Sequence, residues 1–200
     1  GGLGFALGSQ DGVMAATDIT GEIVGLQVLA SQPAQLRWYQ SVKSHTELQA
    51  QLHFKDLGST LEQLGYQKIL ETEEGVFDLE LAWPGGPQNF SLPEGHGALR
   101  LDIGQGGFLE ASTGASGALR VVSILNLAEI VRRLSLSHMF ESGIPFNEMD
   151  GELLLDDGVL EVSSLDVQGG ASSFHFSGES VLADRTLDGE LIVTLPVANN

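Results

Sequence analysis

Apolar and polar residues alternate along most of this chain, and a period of two marks strands with one dry face and one wet face. Val24, Leu26 and Val28 alternate, and Leu36 and Trp38 follow after the break at Pro33. Leu48, Ala50, Leu52 and Phe54 then interleave with Glu47, Gln49, Gln51 and His53. Phe77, Leu79, Leu81 and Trp83 repeat the pattern against Asp78 and Glu80 until "PGGP" at 84–87 ends the run. Leu99, Leu101 and Ile103 face away from Arg100 and Asp102. The closing third adds Leu160 and Val162, Leu165 and Val167, Phe174 and Phe176, and finally Leu191, Val193 and Leu195. Between Val162 and Leu165 the pair Ser163-Ser164 shifts the phase by one residue, which predicts a β-bulge. Asp156-Asp157-Gly158 predicts a tight hairpin turn.

Two segments break the alternation. "GSTLEQLGY" has the capping-box spacing Ser59-x-x-Glu62, which predicts a short helix with Leu61 and Leu64 on one face and Gly65 as its stop. "VVSILNLAEIVRRLSL" predicts a second, stronger helix over 124–136. Leu127, Ile130, Val131 and Leu134 form its apolar stripe, and Arg132 and Arg133 in the last turn complement the helix dipole. The acidic "ETEEG" at 71–75 reads as a solvated turn. Two short helices cannot cover the dry faces of so many strands, so the pattern asks what does.

Composition narrows the answers. The chain has 200 residues, enough for a core, and 42% are hydrophobic while only 6% are aromatic, so that core is mainly aliphatic. Nine basic against 27 acidic residues give a formal charge of −18, which excludes nucleic acid as a partner and disfavours docking on anionic headgroups. Cysteine is absent, so neither a disulfide framework nor a thiolate metal site is available. No apolar run approaches the roughly 18 residues of a membrane span. The opening "GGLGFALGSQDG" reads as mid-protein sequence, with its glycines allowing turns or close backbone approach.

Catalytic and metal-binding patterns do not stand out. The histidines at 45, 53, 96, 138 and 175 lack helical zinc spacing, and His53 and His175 fall on the polar phase of their strands. "DDGVLE" lacks the alternating oxygen ligands of a calcium loop. Ser116 in "GASG" lacks nucleophile-elbow spacing, and "GGLGFALG" has neither dinucleotide spacing nor a phosphate-binding lysine. The expectation is a non-enzyme with no cofactor and no metal.

Five stretches, in order, carry a family resemblance: "DLGSTLEQLGY" (56–66), "FDLELAWPGGPQNFSL" (77–92), "LRLDIGQGGFLEASTG" (99–114), "ILNLAEIVRRLSL" (124–136) and "FNEMDGELLLDDGVLEVSSLDVQG" (146–169). Together they resemble the C-terminal part of YhdP-type proteins, members of the AsmA-like group of Gram-negative envelope proteins, over residues 34–196. The resemblance implies an inner-membrane anchor outside this chain, a periplasmic location, a long curled sheet with a hydrophobic groove, and phospholipid moving along it towards the outer membrane. It supplies no catalytic residues.

Residues 1–200 are accordingly expected to be one continuous segment of a mainly β protein: a strongly curled antiparallel sheet forming an open hydrophobic groove, with two short α-helices. Its lining comprises the alternating residues named above from Val24 to Leu195, excepting Ala50 and Trp83. Hydrating an acyl chain of about sixteen carbons costs roughly 13 kcal/mol at about 0.8 kcal/mol per methylene, which such a groove largely removes. The partners expected are phospholipid, the membrane through the distant anchor, and other envelope proteins. The competing readings are a structural or adhesive envelope scaffold with its apolar faces closed on each other, as in a β-sandwich, and, more remotely, an envelope hydrolase.

Overall fold

The computed structural model describes residues 2–66, 68–109, 144–170, 172–184 and 186–194. The helix expected over 124–136 lies outside the described residues, as does Leu195.

Among the described residues there are fourteen strands and one α-helix, and the fold is mainly β. In chain order the elements are β1 (Leu3–Gln10), β2 (Val13–Ile23), β3 (Leu26–Val28), β4 (Ala34–Tyr39), β5 (His45–Phe54), α1 (Leu57–Gln63), β6 (Leu70–Thr72), β7 (Gly75–Pro84), β8 (His96–Ile103), β9 (Gly106–Phe108), β10 (Ile144–Phe146), β11 (Glu148–Asp156), β12 (Val159–Gln168), β13 (Ser173–Val181) and β14 (Thr186–Thr194). Eleven strands form one antiparallel sheet in the order β1-β2-β3-β5-β7-β8-β11-β12-β13-β14, with β4 also lying between β2 and β5. β3 and β4 thus share one lane end to end, interrupted at 29–33, where Pro33 cannot donate to a ladder.

The curl has a definite backbone origin. β6, β9 and β10 form a separate three-stranded sheet in the order β10-β9-β6. Each is the direct continuation of a central strand of the large sheet: β6 runs into β7, β8 into β9, and β10 into β11. The breaks fall side by side at Glu73-Glu74, Gly104-Gln105 and Asn147. Glu73 N–H donates to the Gln105 carbonyl at 2.9 Å, and Gly104 N–H donates to that of Glu74 at 3.0 Å. Three neighbouring strands therefore bend together and form a flap. Its Phe108 and Phe146 join the cluster of Phe54, Ile103, Met149 and Val167 from the large sheet, so the flap lies over the apolar face.

Local signals in the sequence set most of the turns. Asp157 and Gly158 have φ of 45° and 77° between paired Asp156 and Val159, the two positive angles of a type I′ hairpin. Asp11 and Gly12 repeat this geometry, with φ of 50° and 78°. Ser163 and Ser164 form the expected bulge: Val162 pairs with Gly178 and Leu165 with Phe176, so two residues face Ser177 alone and one is extra. Pro84 ends β7, and Gly85 at φ 80° turns the chain.

Three expectations change. Val24 does not belong to a strand; with Gly25 it forms the turn between β2 and β3, at a φ of 52° rare for a β-branched residue. α1 does not start at a Ser59 cap but three residues earlier, at Asp56, whose carboxylate accepts from Gly58 N–H at 3.1 Å and from the Ser59 hydroxyl. The capping-box spacing was fortuitous, because Ser59 is itself a donor to the true cap. Within "ETEEG", Glu71 and Thr72 belong to β6, and only Glu73 and Glu74 make the exposed turn. The predicted helix stop is correct. Gly65 has φ 87°, its N–H reaches the Glu62 carbonyl and Tyr66 N–H reaches that of Leu61, which is the Schellman pattern.

Candidate functional site

Directly opposed residues of an antiparallel ladder share a face, so the register shows which side chains line up across the sheet. One row runs Leu52–Phe77–Leu101–Gly151–Leu165–Phe176–Leu191. The next runs Ala50–Leu79–Leu99–Leu153–Val162 and ends on Gly178 and Gly189. A third runs Leu7–Ala16–Leu36–Leu48–Leu81. Apolar side chains from one edge strand to the other therefore share one face.

The opposite face is polar and hydrogen-bonded. Gln51 donates to Asp78 at 2.7 Å, Arg100 meets Glu152 at 3.2 Å, and His175 Nδ1 lies 2.7 Å from Asp166. His53 Nε2 is 2.9 Å from Gln51 Oε1. Both histidines thus occupy the wet phase, with partners of their own. Among the described residues, no group of three or more His, Cys, Asp or Glu is arranged to hold a metal ion.

Burial on the apolar face varies along the strands. Under the flap it is complete: Phe54 is 5% exposed, Ile103 1% and Met149 6%. Leu52, Phe77 and Leu101, then Leu79 and Leu99, then Leu48 and Leu81 are only half-buried. Beyond them the face is dry again at Thr46 and Trp83. Trp83 donates its indole N–H to the Gly86 carbonyl at 3.0 Å and meets Phe90 edge-on with centroids 5.1 Å apart. The half-buried rows make an apolar trough between two dry borders. Towards β1 it becomes more open, with Leu3, Phe5 and Leu7 exposed.

Of the lining residues expected from sequence, Leu48, Leu52, Phe77, Leu79, Leu81, Leu99, Leu101 and Leu36 fall in these half-buried rows. Trp38 borders the trough, paired with Thr46. Leu26 packs against the buried cluster, and Phe54, Ile103, Val162, Leu165, Val167 and Phe176 belong to it. Val28 is also buried, while Leu160, Phe174, Leu191 and Val193 are half-buried farther along the sheet. Sequence reading missed Met149, Leu153 and Leu155. The uninterrupted Leu153-Leu154-Leu155 conceals their phase, and the structure places Leu154 on the polar face, 37% exposed.

At the flap end, α1 is held by one carboxylate. Burial acts against the charge of Asp56, but the Ser59 hydroxyl, Lys68 and Thr72 N–H outweigh it and keep the carboxyl below its ordinary range. Lys68 also bonds Glu71 and Asp56 at 2.9 and 3.1 Å, and these partners raise its own affinity for a proton.

A family model described as "YhdP protein" matches residues 6–200. The chain belongs to the YhdP family. This is an AsmA-like family of bacterial envelope proteins related to lipid transport. No curated protein and no solved structure matches the chain. Among the described residues, no helix of this YhdP-family chain is long and apolar enough to cross a membrane.

Proposed function

We propose that this chain binds phospholipid in the trough and lets it pass from strand to strand. It would serve as one stretch of a periplasmic bridge between inner and outer membranes whose anchor lies elsewhere in the polypeptide. The observation that carries the reading is the half-buried apolar floor of Leu52, Phe77, Leu101, Leu79, Leu99, Leu48 and Leu81, continuous across neighbouring strands and broadening towards an exposed apolar edge. The half-buried floor spans the lanes from Leu36 on β4 through β5, β7 and β8 to Leu153 on β11, four interstrand steps of about 4.8 Å or about 19 Å, beyond which Val162, Leu165 and Phe176 close the face. Aliphatic side chains suit movement, because they lower the cost of hydrating acyl chains without fixing one shape. The outer face needs no ligand for this role, and other envelope proteins would complete the bridge.

Photo-crosslinking with a diazirine-labelled phospholipid tests the proposal, together with extraction and mass spectrometry of lipid held by the purified chain. Leu101→Asp should abolish crosslinking with a moderate loss of stability, since a carboxylate in an open trough still reaches water. Asp102→Asn, on the outer face, should leave crosslinking intact. A parent chain that neither retains nor crosslinks lipid, and unfolds outright on Leu101→Asp, would establish a closed scaffold instead.

A further inference from the structure

Resting on that reading, we infer that the trough measures acyl-chain length, with the flap end as its stop. The two borders of the trough differ in chemistry. At the flap end, Phe77 lies tilted against Phe54 with ring centroids 4.6 Å apart, and Phe54, Ile103 and Met149 behind it are buried against the flap. No polar side chain of these rows faces that end: Phe54 pairs with Gly75, which pairs with Ile103, which pairs with Met149. A glycerophosphate group could not be hydrated there.

The opposite border carries groups with polar tips. Half-buried Trp38 donates its indole N–H to the Ser44 hydroxyl at 2.9 Å, and exposed Lys43 sits at the tip of the β4–β5 connection, while Thr46 beside them is buried with its hydroxyl on the Gly85 carbonyl at 2.8 Å. Indoles with an apolar body and a bonded N–H suit the boundary between hydrocarbon and water. Lys43 offers a positive charge to a phosphate on a chain with few of them. A lipid lying along the strands would therefore place its phosphate at the Trp38 border and its terminal methyl against Phe77.

The dimensions agree with this orientation. From Leu48 to Leu52 the half-buried rows span four residue steps, about 14 Å at about 3.4 Å per residue. One leaflet's share of a bilayer's hydrocarbon is half of about 30 Å, or about 15 Å. The floor is as wide as one ordinary acyl chain is deep, and the stop at Phe77 is an aromatic side chain whose removal would lengthen it.

The experiment loads the purified chain from vesicles containing equal amounts of saturated phosphatidylethanolamines graded from dodecanoyl to eicosanoyl, then determines the retained lipids by mass spectrometry. The parent should retain a narrow band of lengths. Phe77→Ala should move that band to longer chains, with about fourfold enrichment for each methylene newly accommodated. Leu101→Phe, which adds a ring beside the stop without opening a cavity, should move it to shorter chains. Retained lipid that mirrors the vesicle mixture in the parent and both variants would overturn the length stop while leaving the proposed function standing. A parent that retains no lipid would overturn both.

Discussion

The ring of Phe54 covers Gly75, its direct partner on the neighbouring strand, so that a methyl group built on Gly75 would collide with the far end of the ring. Phe146 covers Gly106 across β10 and β9 in the same way, and Phe176 covers Gly178 and Gly189. A glycine in a strand ordinarily weakens it, but an aromatic ring laid across the gap restores the buried contact. In this chain the arrangement also keeps large rings low against the backbone. Gly75→Ala should therefore destabilise the fold by about 1–3 kcal/mol through overpacking. Urea unfolding would measure it, and the double variant with Phe54→Leu should recover much of the loss. A Gly75→Ala midpoint equal to that of the parent would show that the ring moves aside freely.

Asp56 links pH to the stability of the flap end. Its folded-state proton affinity is depressed, so the stability it contributes is present above the ordinary carboxylate value of 3.8 and is lost as pH falls through the lower folded value. Asp56→Asn keeps a capping side chain but removes the charge that Lys68 and the Ser59 hydroxyl bind, and should lower the urea midpoint at neutral pH. The difference between variant and parent should shrink as pH approaches 3. A difference independent of pH would mean that the charge of Asp56 contributes nothing.

The polar face holds an unfavourable arrangement. Asp102, Asp150 and Asp166 stand directly opposite one another on β8, β11 and β12. Like charges so placed repel, by roughly 0.2–1 kcal/mol per pair. Asp150→Asn should raise the thermal midpoint, and added salt should reduce the gain by screening the parent. An unchanged midpoint at low salt would show that solvent already suppresses the repulsion.

Val24 should gain from a residue that tolerates positive φ. Val24→Asn fits the first position of a type I′ turn and should stabilise the chain by about 1 kcal/mol. Loss of stability in a thermal melt would show that packing of the half-buried valine outweighs its backbone strain.

Metal should be irrelevant to stability. Exhaustive chelation should leave the thermal midpoint where it was, whereas a fall reversed by calcium would reveal a metal-stabilised module.

How far the sequence could be read follows from which interactions are local. Period-two alternation located β5, β7, β8 and β12 because each keeps one face apolar and the other polar along most of its length. Asp157-Gly158 and Ser163-Ser164 stood out because turn and bulge chemistry involves neighbours in the chain. The flap did not stand out: β6, β9 and β10 have three residues each, too few for a periodic pattern, and they are set by their pairing with one another. Val24 fitted the alternation yet lies in a turn, since its neighbour Gly25 must pass close to Thr60 of α1. The trough depends on register between distant strands, so the sequence could name its candidate residues but not separate the half-buried floor from the dry borders.

The divided lane of β3 and β4 has a mechanical consequence. A pull along the trough would part the sheet between neighbouring strands, as a zipper opens, and would find the lane with the fewest pairs. β3 and β4 together are matched to β5 through six residues, Gln27 of β3 and five of β4, and nothing in that lane crosses the interval from 29 to 33, whereas β5 and β7 are matched over ten residues. Tension should concentrate at this seam. Single-molecule stretching from β1 to β14 should yield there first, leaving the stretch from β5 onwards intact as a second, stiffer unit.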